Sequence, residues 1–125
     1  MKDLLRFYFA DIHIYNNYMI VVMNDGIHVT SVHNRILMNV TDTYYRNRKF
    51  VYITHRINSY SVDPKVYIKT SEVENLVGFC VVSKNYKALA NAEIEKLFLN
   101  KPFETFTSMD DAILWAKQML DIELI

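Results

Sequence analysis

The chain predicts a single α/β domain, a mixed β-sheet opened by an N-terminal β-hairpin with amphipathic helices packed on it. Three observations predict this. Apolar runs of strand length alternate with stretches whose apolar residues recur every three or four positions, the alternation that parallel crossover units require. The 125 residues, 51% hydrophobic and 22% charged, have the balance of a chain that buries a core of its own. Glycine and proline, two of each, are too scarce for a turn-rich sandwich or for long linkers.

Residues 4–15, LLRFYFADIHIY, are rich in β-branched and aromatic side chains, and Tyr18 to Met23 (YMIVVM) continues in the same character. Together they predict two antiparallel strands around an Asn16-Asn17 turn. The cluster Asn24-Asp25-Gly26 breaks the second strand. From Thr30 to about Arg46, helical spacing relates Val29, Val32, Ile36, Val40 and Tyr44, with His33, Leu37 and Tyr45 widening the stripe. Thr30 or Ser31 caps this helix. Arg46, Arg48 and Lys49 gather at its other end, where cations interact favourably with the helix dipole.

Phe50 to Thr54 (FVYIT) reads as a short strand suited to the centre of the sheet. Residues 55–64, HRINSYSVDP, then form a loop at the end of that strand, because polar turn formers fill it and Pro64 drives Asp63 away from helical geometry. Val66 to about Glu74 fits a short strand or a short helix equally. Leu76 to Ser83, LVGFCVVS, is an apolar run fit for an interior strand covered on both faces, in which Gly78 permits a close approach. A second helix spans about Asn85 to Leu99, its apolar positions being Ala88, Leu89, Ala92, Leu97 and Phe98, with Ala90 and Ile94 between them. Lys101-Pro102 stops it. Phe103 to Phe106 predicts a short edge strand. Ser108, with Asp111 three residues on, announces a last helix whose inward face is Met109, Ala112, Ile113, Ala116, Met119 and Leu120, widened by Trp115.

Fourteen Lys and Arg balance fourteen Asp and Glu, which removes the usual electrostatic drive for nucleic-acid binding. Cys80 is the lone cysteine, so no intramolecular disulfide forms and a reducing compartment is expected. Lys2, Asp3, Arg6 and Asp11 interrupt the apolar run a signal peptide needs, and no segment approaches the ~20 apolar residues of a spanning helix. A cytoplasmic location is the resulting expectation.

The motifs of catalysis are missing. His13, His28, His33 and His55 include no pair at the His-x-x-x-His spacing that puts two ligands on one helix face. Cys80 lies in an apolar run and reads as packing. With only Gly26 and Gly78 there is neither a nucleophile elbow nor a Gly-rich phosphate cradle. The sequence therefore predicts no catalytic residue, metal or cofactor. The densest polar constellation is His55, Arg56, Asn58, Ser59, Tyr60, Ser61 and Asp63, just past a central strand, where α/β sheets commonly bind ligands. These residues form the candidate binding or regulatory loop. A purely structural role is as well supported, with Arg56 pairing Asp63 and Asn58 satisfying turn backbone. Nine Tyr, seven Phe and Trp115 add the option of a homodimer through the opening hairpin or an outer helix.

The C-terminal third, LVGFCVVSKN, then a helix ending EKLFLNKPFETF, then TSMDDAILWAKQML, resembles the ending of uncharacterised bacterial members of the STAS/SpoIIAA-like group. The segment FVYITHRINSYSVDP resembles a block of Bacteroidetes-type members. The resemblance implies a STAS-like (SpoIIAA-like) fold and a non-enzymatic protein-interaction or regulatory module with an unidentified protein partner. In anti-sigma-factor antagonists of that group, a kinase phosphorylates a serine in an Asp-Ser-Ser/Ala/Thr-Gly segment that opens a helix. Asn58-Ser59-Tyr60-Ser61 occupies the corresponding place, with Asn58 where the acid would stand and no glycine following. Distant lipid-binding relatives of the fold imply the alternative of binding or sensing a small apolar molecule.

Overall fold

The longer strands and helices follow one another as the apolar rhythm predicts, but residues 4–15 hold one strand more than expected, and two-residue strands at 28–29 and at 61–62, the latter inside the expected loop 55–64, are not announced by the sequence. The computed structural model describes residues 1–124, with side chains through Asp121. Its elements are β1 (Asp3–Arg6), β2 (Ala10–Ile14), β3 (Tyr18–Met23), β4 (His28–Val29), α1 (Ser31–Tyr45), β5 (Phe50–His55), β6 (Ser61–Val62), α2 (Val66–Thr70), β7 (Leu76–Val82), α3 (Tyr86–Glu95), β8 (Phe103–Phe106) and α4 (Met109–Leu124). A 3₁₀ turn, Lys96–Phe98, extends α3. Six strands form one mixed sheet in the order β1-β2-β3-β5-β7-β8. The last four run parallel, and β1 and β2 are antiparallel to their neighbours. β4 and β6 pair separately as a short parallel ribbon.

The opening corrects the sequence reading. Residues 4–15 are two strands, because the backbone folds back between Phe7 and Ala10, whose amides and carbonyls exchange hydrogen bonds at 2.9 and 3.4 Å. The turn is aromatic: Phe7 stacks on Phe9 at 5.9 Å, and Phe9 is fully buried. Neither Tyr8 nor Phe9 has a positive φ, so the turn does not need the Gly or Asn of an ordinary hairpin, which is why no turn residue marks the place. The Asn16-Asn17 turn stands where expected, joining β2 to β3.

Alternate residues of the central strands enter two cores. Tyr52, Phe79 and Val81 meet α1, α2 and α3 on one face, while Val51, Ile53 and Cys80 meet α4 on the other. The buried face of α1 is Asn34, Leu37, Val40, Thr41 and Tyr45, rotated from the expected stripe, and Val32 is 57% exposed. The rotation follows from Tyr45, which stacks on Phe50 at 4.5 Å and sets its hydroxyl 2.8 Å from the carbonyls of Tyr15 and Tyr18. Tyr44 instead donates to Asp3 at the sheet edge. Thr30 caps α1, and its own amide donates to His33 Nδ1 at 3.0 Å.

The ambiguous segment 66–74 begins as the short helix α2. On the other face, α4 lies over β5, β7 and β8, with Ala112 and Ala116 fully buried. Gly78 does permit a close approach, since a Cβ there would sit 2.9 Å from Trp115 Cη2.

Candidate functional site

β5 carries the candidate loop to the carboxyl end of the parallel strands. Arg56, the first residue beyond it, still donates its amide to the Val82 carbonyl at 2.8 Å, so the side chain is aimed by the sheet itself. It points inward and is 7% exposed. Its guanidinium grips Glu95 of α3 with both terminal nitrogens, Nη1 at 2.8 Å from Oε2 and Nη2 on Oε1. Nε donates to the Tyr60 hydroxyl at 2.9 Å, and the group lies 5.2 Å from the Tyr60 ring centroid. Tyr60 also meets Thr54 Oγ1 at 2.9 Å, and Tyr67 of α2 donates its hydroxyl to Glu95.

Two buried charges are thus paired bidentately and hydrogen-bonded further, the condition under which such a pair is tolerated inside a protein. Among the described residues no buried side-chain nitrogen or oxygen lacks a partner. Burial works against the charge on Arg56, but the hydrogen bonds and attraction of Glu95 outweigh it and hold the guanidinium protonated more firmly than usual. Burial raises the Tyr60 and Tyr67 hydroxyls above the ordinary tyrosine range.

The remaining predicted residues separate. Asp63 does not pair with Arg56. It accepts the Lys65 amide at 3.1 Å, and its own amide donates to Val29 at 2.9 Å, because the β4–β6 ribbon turns this part of the chain towards residues 28–29. Asn58 satisfies backbone, donating to the Met23 carbonyl at 2.9 Å. The Ser59 amide donates to Asp25 at 3.0 Å, and its carbonyl accepts from Gly26 at 2.8 Å. Ser61 lies 2.7 Å from His28 Nδ1 within β6. Since α2 begins only at Val66, neither Ser59 nor Ser61 opens a helix as the phosphorylated serine of antagonist domains does.

His55 faces another direction. With Ile57, Lys84, Asn85, Thr107 and Ser108 it borders a cleft of about 770 Å³ at the ends of β5, β7 and β8. The chain leaves β7 towards one sheet face and β8 towards the other, so the cleft opens between two diverging segments at the carboxyl ends of the strands, the end of an open α/β sheet at which ligands bind. Partial burial lowers the pKa of His55 below the ordinary histidine value. The other histidines are dispersed, with His13 Nδ1 at 3.3 Å from Met1 Sδ and His33 bonded to Thr30. Among the described residues no three His, Cys, Asp or Glu side chains cluster as a metal site requires. Burial pushes the Cys80 thiol well above its usual pKa, away from a nucleophile's range.

Compared with protein-family models, curated proteins and solved structures, the chain matches none of them.

Sequence reasoning missed Glu95 and Tyr67. The available signal was that Ala92, Glu95 and Leu99 fall at helical spacing, with Ala92 and Leu99 both buried. Turning the helix to bury Glu95 corrects the expected inner positions Leu97 and Phe98. Tyr86, Ile94 and Leu97 are 91%, 58% and 82% exposed, and Phe98 is exposed beside them. With Ala90 they make an outward apolar stripe at i, i+4, i+8 and i+11, and on the flank of the same helix Lys87, Ala88 and Asn91 share a groove with the loop residues Ile57 and Ser59. Beneath the loop, the space bordered by Met23, Leu37, Tyr60 and Phe79 amounts to about 30 Å³. That is room for a water or two, not for a lipid chain. No helix among the described residues is long and apolar enough to cross a membrane.

Proposed function

We propose that this protein is a non-enzymatic interaction module of STAS-like architecture, which recognises another protein through the outer face of α3 together with the loop 57–60. The observation that carries the reading is the solvent-facing stripe Tyr86, Ile94 and Leu97 on a helix whose inner face is already packed. A helix that is apolar on both sides is ordinarily covered on both sides. The Arg56–Glu95 pair supports it further, since it ties the loop and the helix into one surface of fixed shape, and a preorganised surface loses less freedom on binding.

The occupant that fits is an apolar groove or helix face of a different protein, aromatic at its centre, with a polar rim meeting Lys87, Asn91 and Lys96. The test is co-purification from the native host with wild type and with Ile94→Glu/Leu97→Glu, followed by calorimetry with the purified partner. A partner that binds wild type and loses at least about tenfold in affinity to the double variant supports the assignment, because a charge would have to be buried at a hot spot. Equal binding by both proteins overturns it. Concentration-dependent dimerisation of the isolated chain that the variant abolishes also overturns it, because a second copy then covers the stripe.

A further inference from the structure

We propose that the groove between α1 and α2 binds the anion of a medium-chain fatty acid. The groove holds about 400 Å³, within the ~300–1,000 Å³ of small-molecule sites. It lies away from α3, and its lining divides by polarity. Met38 and Val66 supply an apolar floor. The floor is closed by Asn34, whose polar atoms are already engaged, Nδ2 on the Val66 carbonyl at 3.3 Å and Oδ1 accepting from Thr70 at 3.4 Å. Asn34 therefore offers a ligand no free group, and the remaining polar lining is Ser31 and the charged side chains.

Arg35, Lys65 and Lys69 stand around this floor. Their methylene stems extend the apolar walls while their charged heads reach the rim. Lys69 shares its charge loosely with Glu72 at 3.7 Å, both side chains being exposed. Among the described residues Arg35 and Lys65 have no ion-pair partner. The one carboxylate in the groove, Asp63, accepts the Lys65 amide. A chain with no net charge thus gathers three cations and one acid around an apolar trough. The complementary ligand is one negative head on a hydrocarbon tail. A bare anion would leave the floor unused, and an uncharged alkane would leave the cations unanswered.

The experiment is an amide-shift titration of the full isotope-labelled chain with decanoate below its micelle concentration. Saturable shifts centred on residues 31–38 and 63–69 are expected, weakening as salt rises. Decanol should bind at least about tenfold more weakly, and Arg35→Gln/Lys65→Gln should lower decanoate affinity by a similar factor, each losing charge-assisted hydrogen bonds. Both substituted residues are exposed, so an unchanged amide spectrum elsewhere certifies the variant's fold. Decanol binding as tightly as decanoate, shifts centred on α3 or on the His55 cleft, salt-independent binding, or absence of saturation would each overturn the proposal. Shifts centred on α3 would count against the α3 reading too, whereas each of the other failures leaves it standing, since the two surfaces share no residue.

Discussion

Arg56 and Glu95, 39 residues apart in sequence, meet two-on-two in the protein interior, with Tyr60 and Tyr67 completing their hydrogen bonds. The pair joins β5 to α3 through side chains that are almost wholly out of water. Removing one member strands the other charge, so Glu95→Ala and Arg56→Ala should each destabilise by about 3–5 kcal/mol. The double replacement Arg56→Met/Glu95→Leu should cost distinctly less than the sum, although Tyr67 then loses its acceptor. Urea denaturation of the four proteins measures this. Single variants within about 1 kcal/mol of wild type would mean that the charges are hydrated and the pairing immaterial.

The buried hydroxyls predict behaviour in alkali. Desolvation raises Tyr52, Tyr60 and Tyr67 above the ordinary tyrosine value, and Tyr45 likewise. Above a pH of about 10 these groups ionise in the unfolded chain while they stay protonated in the folded one. The folded state then holds more protons, and stability falls as pH rises. The urea midpoint should begin to fall above about pH 8.5, where the Cys80 thiol ionises only in the unfolded chain, and drop steeply above about 10, with part of the phenolate absorbance emerging only at the unfolding transition. Full phenolate absorbance in protein that is still folded would contradict the burial of these rings.

How far the sequence spoke for the fold is seen in particular elements. β5 and β7 are runs of β-branched and aromatic residues with no polar face, a pattern that buried parallel strands alone require. The break at Tyr8-Phe9 was invisible because its turn uses no positive φ and so carries no Gly or Asn to announce it. In α3 the apolar residues lie on both faces, so periodicity could not choose between them. The choice was made by a salt bridge to a residue 39 positions earlier, which no local window contains. The candidate loop was found for its polarity, but polarity could not say that Arg56 turns inward, that Asp63 serves α2, or that His55 opens on a different cleft.

Cys80 is fully buried in β7, and burial raises its thiol pKa. An aromatic disulfide reagent at mild pH should therefore leave the native protein unmodified for as long as it stays folded, and label it stoichiometrically in denaturant. Modification at the rate of a free thiol in native buffer would show that β7 is open to solvent.

The two glycines hold their places for different reasons, and substitution separates them. Gly26 has φ of +79° with nothing within 4 Å of the Cβ position, so Gly26→Ala should cost about 1 kcal/mol of backbone strain that no neighbouring change relieves. Gly78 has no positive φ. A Cβ there meets Trp115 Cη2 at 2.9 Å and Cζ3 at 3.2 Å, so Gly78→Ala should cost about 1–3 kcal/mol through overpacking of α4 on the sheet. Pairing it with Trp115→Leu removes the obstructing ring, and the combined loss should be smaller than the sum of the two single losses. Strict additivity in that cycle would mean that α4 does not rest on Gly78, whereas coupling at Gly78 without coupling at Gly26 fixes the indole over the strand.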